Sequence, residues 1–306
     1  MKVFASVLVA AVAAMSTTLV AQWPPFKTLN VPRLADGSPN LTAPTPRTAD
    51  GKVDFSGVWA AGGGGGGRGG RGGRGAAAGG RGAAPAAPAA PANPIPLAAF
   101  WDIGANIPGG VPLTPWAAAL KKDRMDAGSA DNPDAHCLPI GHMQYHLHPQ
   151  PRKILQTPSE IAIIYESNYG LRHIYLDGRQ PPPPGDPDVQ PYWYGYTVGR
   201  WEGDTLVATT THIRDGMWLD VNGTPLTDQG KIIERFRRPN FGSLEIEVTF
   251  EDPKAFTKPW TVRLNQRIMV DTDLIEFICN ENEKSTKHFV DIRPEAQKQQ
   301  ATPPAK

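Results

Sequence analysis

The sequence predicts an all-β fold, an antiparallel β-barrel of about nine or ten strands with one short helix. After residue 150, short segments rich in β-branched and aromatic residues follow one another, with Gly, Pro or Asp between them. This is the pattern of strands joined by turns. No helical period comes between the segments, so neighbouring strands are expected to pair antiparallel, largely as a meander. So many short strands, each with one apolar face, favour a closed barrel.

Two segments alternate most clearly, with apolar residues on one face and charged residues on the other. The apolar faces are Leu244, Ile246, Val248 and Phe250 in one segment, and Trp260, Val262, Leu264 and Ile268 in the other. A two-residue link at Glu202-Gly203 predicts a hairpin. The predicted strands are RKILQT, EIAIIYES, LRHIYLDGR, YGYTVGRW, DTLVATTTHI, KIIERFRR, SLEIEVTFED, WTVRLNQRIMV and LIEFICNE.

One helix is predicted, from Thr114 to Gly128. A Thr can cap its first turn, Pro115 is tolerated there, and an Ala/Leu-rich run follows before the terminal Gly. The next stretch, HCLPIGHMQYHLHP from His136 to Pro149, contains Pro and Gly at several positions and is predicted to be a loop.

Composition divides the chain further. Lys2 and the apolar run after it are typical of a secretory signal peptide, so the protein is expected to be secreted or periplasmic. A long run of Gly, Arg, Ala and Pro cannot bury apolar surface and is expected to be disordered. The predicted segments are 1–21 signal peptide, 22–53 extended arm, 54–61 first barrel strand, 62–94 disordered insert, 95–149 helix and His-rich loop, 150–290 main barrel and 291–306 flexible tail.

Charge and motifs exclude several functional classes. Lys plus Arg number 31 and Asp plus Glu 30, so there is no electrostatic case for a nucleic acid partner. No second long apolar segment follows the signal peptide, so no membrane insertion is expected. The sequence contains no G-x-S-x-G, Walker A or H-E-x-x-H motif, the usual signatures of serine hydrolases, nucleotide enzymes and zincins.

The two cysteines, Cys137 and Cys279, are predicted to form one disulfide, since exported proteins seldom keep two free thiols. The alternative is that Cys137 stays free to bind a metal. Near it, His142, His146 and His148 are candidate ligands for Zn or Cu. Loops often carry exposed histidines, so only weak Zn or Cu binding is expected, and no other cofactor.

A polar cluster interrupts the predicted strands near residue 170. The candidate catalytic residues are Glu166, Arg172, His173 and Asp177. Period two places His173 and Asp177 on one face of a strand and Arg172 on the other. If the first face points inward, His173 can act as a general acid or base that Asp177 orients. If the second does, Arg172 is a buried cation that needs Glu166 or Glu234 as its partner.

Aromatic residues after a proline-rich loop are good walls for a small apolar or sugar ligand, although they are equally ordinary packing residues. The candidate ligand-binding residues are Arg179, Tyr192, Trp193, Tyr194, Tyr196, Trp201 and Glu234. Asp204, which follows a glycine, is interpreted as a turn residue.

The opening segment DFSGVW, with Gly57-Val58-Trp59, resembles the Gly-x-Trp first strand of lipocalins and other calycins. The resemblance implies a calycin-like barrel whose end the Trp closes. Gly199-Arg200-Trp201 is a second copy, and the long insert after the first strand is a departure from lipocalins.

Nearly all of the chain after the signal peptide also resembles a widespread group of exported bacterial proteins of unknown function. The residues that carry this resemblance are CLPIG, KILQTPSEIAIIYE, LRHIYLDGR, GYTVGRWEGDTLVATTT, ERFRR, DPKAFTKPW and CNENEK. In that pattern the histidines after CLPIG are additions peculiar to this chain.

Three functions remain open at this point. The first is a secreted or periplasmic barrel that binds a small molecule in or near its mouth. The second is a cofactor-independent hydrolase, lyase or isomerase that uses the polar cluster. The third is an envelope interaction protein whose Gly/Arg-rich insert makes the contact. The strand face that points inward distinguishes the first two.

Overall fold

The computed structural model describes residues 27–62, 95–184, 186, 189–281 and 284. The predicted signal peptide, the predicted insert after its first residue and the predicted tail lie outside these residues. Within the described part the chain forms eleven strands and two α-helices. The strands are β1 (Gly57–Ala61), β2 (Arg152–Gln156), β3 (Glu160–Tyr165), β4 (Gly170–Tyr175), β5 (Tyr196–Glu202), β6 (Thr205–Thr211), β7 (Met217–Trp218), β8 (Pro225–Leu226), β9 (Lys231–Asn240), β10 (Ser243–Glu251) and β11 (Trp260–Met269), and the helices are α1 (Pro115–Asp126) and α2 (Gly141–Leu147).

Nine of these strands close a barrel in the order β1-β11-β10-β9-β6-β5-β4-β3-β2. β1 pairs with β11 on one side and with β2 on the other, so the strand that precedes the predicted insert completes the barrel. β7 and β8 form a separate two-stranded sheet. The predicted all-β barrel of about nine or ten strands is therefore confirmed.

The expected antiparallel pairing is wrong at one position. β4 and β5 run parallel and pair through Ile174↔Thr197 and Tyr175↔Val198. The connection of residues 176–195 carries the chain back to the end of the barrel at which β4 begins, and a return of this kind makes the next strand parallel. The other neighbouring barrel strands are antiparallel.

The predicted strand LIEFICNE is also wrong, because residues 274–281 form no strand. Side chains hold this segment instead. The backbone N–H of Ile275 donates to Glu166 at 2.9 Å, and that of Cys279 donates to Asn168 at 3.2 Å. The predicted disulfide between Cys137 and Cys279 is confirmed and fixes the segment further.

Helix α1 confirms the predicted helix. The hydroxyl of Thr114 accepts a hydrogen bond from the N–H of Ala117 at 3.2 Å, and Pro115 occupies the first turn. The expectation of a loop from His136 to Pro149 is wrong, since α2 lies within it. All seven residues of α2 are buried, so packing, not intrinsic helix propensity, stabilises so short a helix.

The barrel interior is filled by side chains, and the inward faces predicted for β10 and β11 are confirmed. Leu244, Ile246, Val248 and Phe250 are at most 1% exposed, and Trp260, Val262, Leu264 and Ile268 at most 8%. Helix α2 covers the end at which β2 and β4 begin. Near the other end, Trp59 is fully buried, its indole N–H donates to Phe55 O at 2.9 Å, and the guanidinium of Arg238 lies 4.8 Å from the centre of its ring.

Two smaller findings complete the description. The hairpin link between β5 and β6 is Gly203-Asp204 rather than Glu202-Gly203, because Glu202 pairs with Thr205. In the described residues, no helix is both long enough and apolar enough to cross a membrane.

Candidate functional site

Strand β4 directs Arg172 and Ile174 into the barrel, where they are 1% and 0% exposed. His173 and Tyr175 lie on its outer face. Of the two orientations that the sequence left open, the structure therefore has the one that buries Arg172. The acid that balances it is Glu234 on β9, which is 0% exposed.

The two side chains form a bidentate ion pair. Nη1 of Arg172 lies 3.1 Å from Oε1 of Glu234, and Nη2 contacts Oε2. Nη2 also donates to the hydroxyl of Thr210 at 3.1 Å, and Thr210 and Thr197 are hydrogen-bonded to each other at 2.9 Å. The bidentate geometry and the threonine hydroxyl offset part of the cost of burying the two charges.

Two histidines of α2 face the same carboxylate. Nε2 of His142 lies 3.6 Å from Oε2 of Glu234, and Nε2 of His146 lies 3.5 Å from Oε1. Nδ1 of His146 is 3.3 Å from the side-chain amide of Gln266. His142 and His146 are four residues apart, so a helix places both rings on one face. This spacing is the sequence signal that the prediction of a loop misses.

Burial controls the protonation of this centre. It lowers the pKa of His146 to about 4, and the pKa of His142 falls well below its usual value for the same reason, with the charge of Arg172 adding to the effect. Burial, the largest single influence, would raise the pKa of Glu234. The charges of Arg172 and His142 and the hydrogen bonds from His146 and Arg172 together outweigh it, so the pKa lies below its usual range. Near neutral pH the centre therefore holds two neutral histidines and a closed ion pair.

A second buried cation, Arg152, contacts no carboxylate of the part of the chain that the structure describes. Nη1 donates to the carbonyl of His146 at 2.7 Å, and Nη2 lies 3.5 Å and 3.4 Å from the carbonyls of His148 and Gln150. Burial lowers its pKa to about 10. These carbonyls lie in the last turn of α2 and just after it, so Arg152 caps the negative end of the helix dipole.

Three tyrosines stack beside this centre. The ring centroids of Tyr145 and Tyr165 are 4.8 Å apart, and Tyr194 lies 6.0 Å from each. A Cβ atom at Gly170 would lie 2.5 Å from the hydroxyl of Tyr194. The glycine at the start of β4 therefore makes room for Tyr194 between β4 and β5.

The three candidate metal ligands do not converge. Nε2 of His148 lies 3.5 Å from Asp134, and its ring packs against Phe100, away from His142 and His146. No group of three or more His, Cys, Asp or Glu side chains in the described residues is arranged to hold a metal ion. A cation already lies beside both groups, because Nη1 of Arg172 is 3.1 Å from Oε1 of Glu234 and 3.5 Å from Nε2 of His146. Weak Zn or Cu binding stays a prediction.

The barrel wall opens beside the first half of β4. Since β5 pairs with β4 only from Ile174 and Tyr175 onward, residues 191–195 and the start of β4 enclose a cleft of about 290 Å³. Four of the predicted aromatic residues come together here. The cleft is lined by Leu171, His173, Tyr175, Tyr192, Trp193, Tyr194 and Tyr196, with the buried Arg172 at its inner side.

His173 presents its ring in this cleft, but Asp177 does not orient it. Nδ1 of His173 is hydrogen-bonded to the carboxylate of Glu160, a residue that sequence reasoning missed. Nε2 makes no hydrogen bond within the described residues. Asp177 instead binds Arg179, with both carboxylate oxygens 2.9 Å from Nε, and Arg179 lies 3.9 Å over the ring of Tyr175. Arg179 thus holds the pKa of the Asp177 carboxyl below its usual value.

The remaining candidates lie elsewhere. Glu166 is 7% exposed and accepts the N–H of Ile275, and burial raises its pKa. Trp201 stacks on Phe55 with ring centroids 5.7 Å apart. The four candidate catalytic residues therefore do not form one site: Arg172 is interior, His173 and Asp177 are outside, and Glu166 lies against the segment that carries Cys279.

A larger groove of about 490 Å³ lies between the N-terminal arm and β1 and β11. Its charged residues are already bonded. Lys153 binds Asp273 at 2.7 Å, Arg47 binds Asp204 at 2.7 Å, and Arg238 donates to backbone carbonyls. The cleft beside β4 is therefore the better candidate, because it retains a ring nitrogen without a hydrogen-bond partner.

Comparison of the chain with protein-family models, with curated proteins and with solved structures finds no match.

Proposed function

We propose that the protein binds a small molecule, with an apolar or sugar ring, in the cleft beside β4. The observation that carries this proposal is the cleft itself, an opening of about 290 Å³ walled by tyrosine and tryptophan rings and by the available Nε2 of His173. Aromatic faces take up flat rings, and a few polar groups fix their orientation.

The packed interior supports a site in the wall rather than inside the barrel. The cavity next to His142, between Met217 and Trp193, offers about 10 Å³, which is close to the room of one water molecule. Below the cleft, the Arg172–Glu234 pair and the tyrosine stack form a rigid base. Ligands bind more tightly to sites that need little reorganisation.

We also propose that the protein is exported. The disulfide suits an oxidising compartment, in agreement with the signal peptide expected over residues 1–21. We propose as well that the chain belongs to the exported bacterial group that it resembles and that its barrel is calycin-like. We propose that Trp59, whose ring centre lies 4.8 Å from the guanidinium of Arg238, closes one end of the barrel, as the resemblance of the first strand implies.

A second candidate function is catalysis on the bound molecule, and the pairing of His173 with Glu160 favours it. A carboxylate on Nδ1 fixes the tautomer of a histidine and makes Nε2 a better base. A cofactor-independent hydrolase, lyase or isomerase would use His173, one of the four predicted residues, together with Glu160 in place of Glu166, Arg172 and Asp177. The third hypothesis, an envelope interaction through residues 62–94, concerns residues that are almost all outside the described part.

Native mass spectrometry of the purified protein, together with a thermal-shift screen of sugars and aromatic compounds, tests the proposal. We expect ligands that raise the melting temperature of the wild type and bind at least tenfold more weakly to Tyr192→Ala. Trp116→Ala is the matched control, because it also removes a partly exposed ring, but from α1. Equal affinity of both variants for these ligands would show that the binding site is not in the cleft.

A further inference from the structure

One edge of β4 lacks a backbone partner along the cleft. Backbone N–H and C=O groups point alternately to the two sides of a strand. The N–H of Leu176 donates to Ser159 on the β3 side at 2.8 Å, so the peptide groups of Leu171, His173 and Tyr175 point toward β5. Pairing with β5 begins only at Ile174 and Tyr175. The N–H groups of Leu171 and His173 therefore face the cleft.

The segment across the cleft does not satisfy these groups. The N–H of Tyr192 donates to His212 at 3.0 Å, and that of Gly195 donates to Tyr192 at 3.3 Å. No backbone hydrogen bond joins Leu171 or His173 to residues 189–195, all of which the structure describes. At about 3.3 Å per residue, the open edge from Leu171 to His173 is about 7 Å long, which suits an added strand of about three residues.

We infer that the natural ligand of the cleft is a short peptide in extended conformation, which pairs with this edge as an added strand. The inference rests on the proposed function, because it names the ligand class of the same cleft. Open strand edges are ready templates for another chain, and strand addition takes its affinity from main-chain hydrogen bonds. The rings of Tyr175 and Tyr192 and the side chain of Leu171 suit an apolar or aromatic side chain at the centre of the peptide.

Backbone methylation of the ligand tests this pairing without altering the protein. Isothermal titration calorimetry would compare acetyl-Ala-Phe-Ala-amide with two derivatives, one N-methylated at Phe and one N-methylated at both Ala residues. Only alternate residues of an added strand bond to β4. One derivative should therefore lose at least tenfold in affinity while the other keeps most of it, since a lost hydrogen bond has about this effect.

Binding of the unmethylated peptide should also slow hydrogen exchange at the amides of Leu171 and His173. Equal effects of the two methylation patterns, or unchanged exchange at both amides, would overturn the strand-addition inference. If sugars or aromatic compounds bind in a manner sensitive to Tyr192→Ala while peptides do not, the inference fails and the proposed function stands. If no compound binds the cleft, both fail.

Discussion

Arg172 on β4 reaches across the barrel interior to Glu234 on β9, and the two form a bidentate ion pair at less than 2% exposure. In the sheet β5 and β6 lie between their strands, so the pair connects opposite walls of the barrel. The hydroxyls of Thr197 and Thr210, on the two intervening strands, accept hydrogen bonds from Nη2 of Arg172. The contact therefore fixes four strands relative to one another.

Breaking this pair should destabilise the protein strongly. Glu234→Met leaves Arg172 as an unpaired buried cation, and we expect a loss of about 3–5 kcal/mol in the free energy of unfolding, measured by urea titration. The double variant Arg172→Met/Glu234→Met removes both charges and should recover much of this loss. A double variant no more stable than Glu234→Met would show that the ion pair is not what the interior requires.

Acid should destabilise the protein below about pH 6.5. The pKa of His146 is about 4 in the folded protein and that of His142 also lies below its usual value, so the unfolded chain binds more protons than the folded one as pH falls from about 6.5 to about 4. Each histidine then removes up to about 1.4 kcal/mol of stability per pH unit. Glu234, whose folded pKa is also depressed, acts in the same direction below about pH 4.5.

Urea midpoints between pH 8 and pH 4 measure this dependence. His146→Gln keeps a polar side chain without a titrating group, so its curve should be flatter than that of the wild type between pH 6.5 and pH 4. His212→Gln is the control, since His212 is at the surface and contacts Thr211 and Pro183. A wild-type midpoint that does not change between pH 7 and pH 5 contradicts the assignment of two buried neutral histidines.

The inward and outward faces of the barrel strands show how much of the fold and of the buried Arg172–Glu234 centre the sequence can predict. The apolar alternation of β10 and β11 identified their inward faces, because every second residue is apolar. Strand β4 carries polar and apolar residues on both faces, so period two alone left Arg172 and His173 as equal candidates for the interior. Only the position of Glu234, which is brought near by the closure of the barrel, decides between them.

Two other features depend on contacts distant in sequence. Helix α2 forms because the barrel end buries it, and Gly141 begins it with φ of +76° where a side chain would meet Met217. The parallel pairing of β4 and β5 depends on the path of residues 176–195, for which no local pattern gives a direction. The cleft depends on where the chain returns to β4, so the sequence named its aromatic residues as candidate ligand-binding residues but not β4 as the opposite wall.

Reduction should lower stability without unfolding the barrel at room temperature. The disulfide joins residues 142 positions apart and contributes at most about 5 kcal/mol by chain entropy, yet residues 274–281 form none of the barrel strands. We expect no free thiol under denaturing, non-reducing conditions, and a lower melting temperature with unchanged far-ultraviolet circular dichroism after reduction. The double variant Cys137→Ser/Cys279→Ser should not respond to reductant. Titration of two thiols in the untreated protein would contradict the bond.

Removing metal should leave the melting temperature unchanged. The rings of His142 and His146 face Glu234, which Arg172 already neutralises, and His148 lies apart. A structural metal site would couple binding to folding by many kcal/mol. Thermal unfolding with and without EDTA, and with added Zn²⁺, measures this directly. A drop of several degrees in EDTA that Zn²⁺ restores would show a metal centre.

Substitutions on the two faces of β4 should separate binding from stability. His173 is on the outer face, with its side chain 42% exposed, so His173→Ala should change the free energy of unfolding by less than about 0.5 kcal/mol.

Because His173→Ala removes the available ring nitrogen of the cleft, it should weaken ligand binding at least tenfold. Glu160→Gln keeps the ring of His173 but removes its charged partner, so a smaller loss of affinity is expected. Glu166→Gln is the matched control, since Glu166 contacts Ile275 away from the cleft and should retain full affinity. If His173→Ala melts at a markedly lower temperature and binds as well as the wild type, the outer face of β4 is architectural and the cleft is not the site.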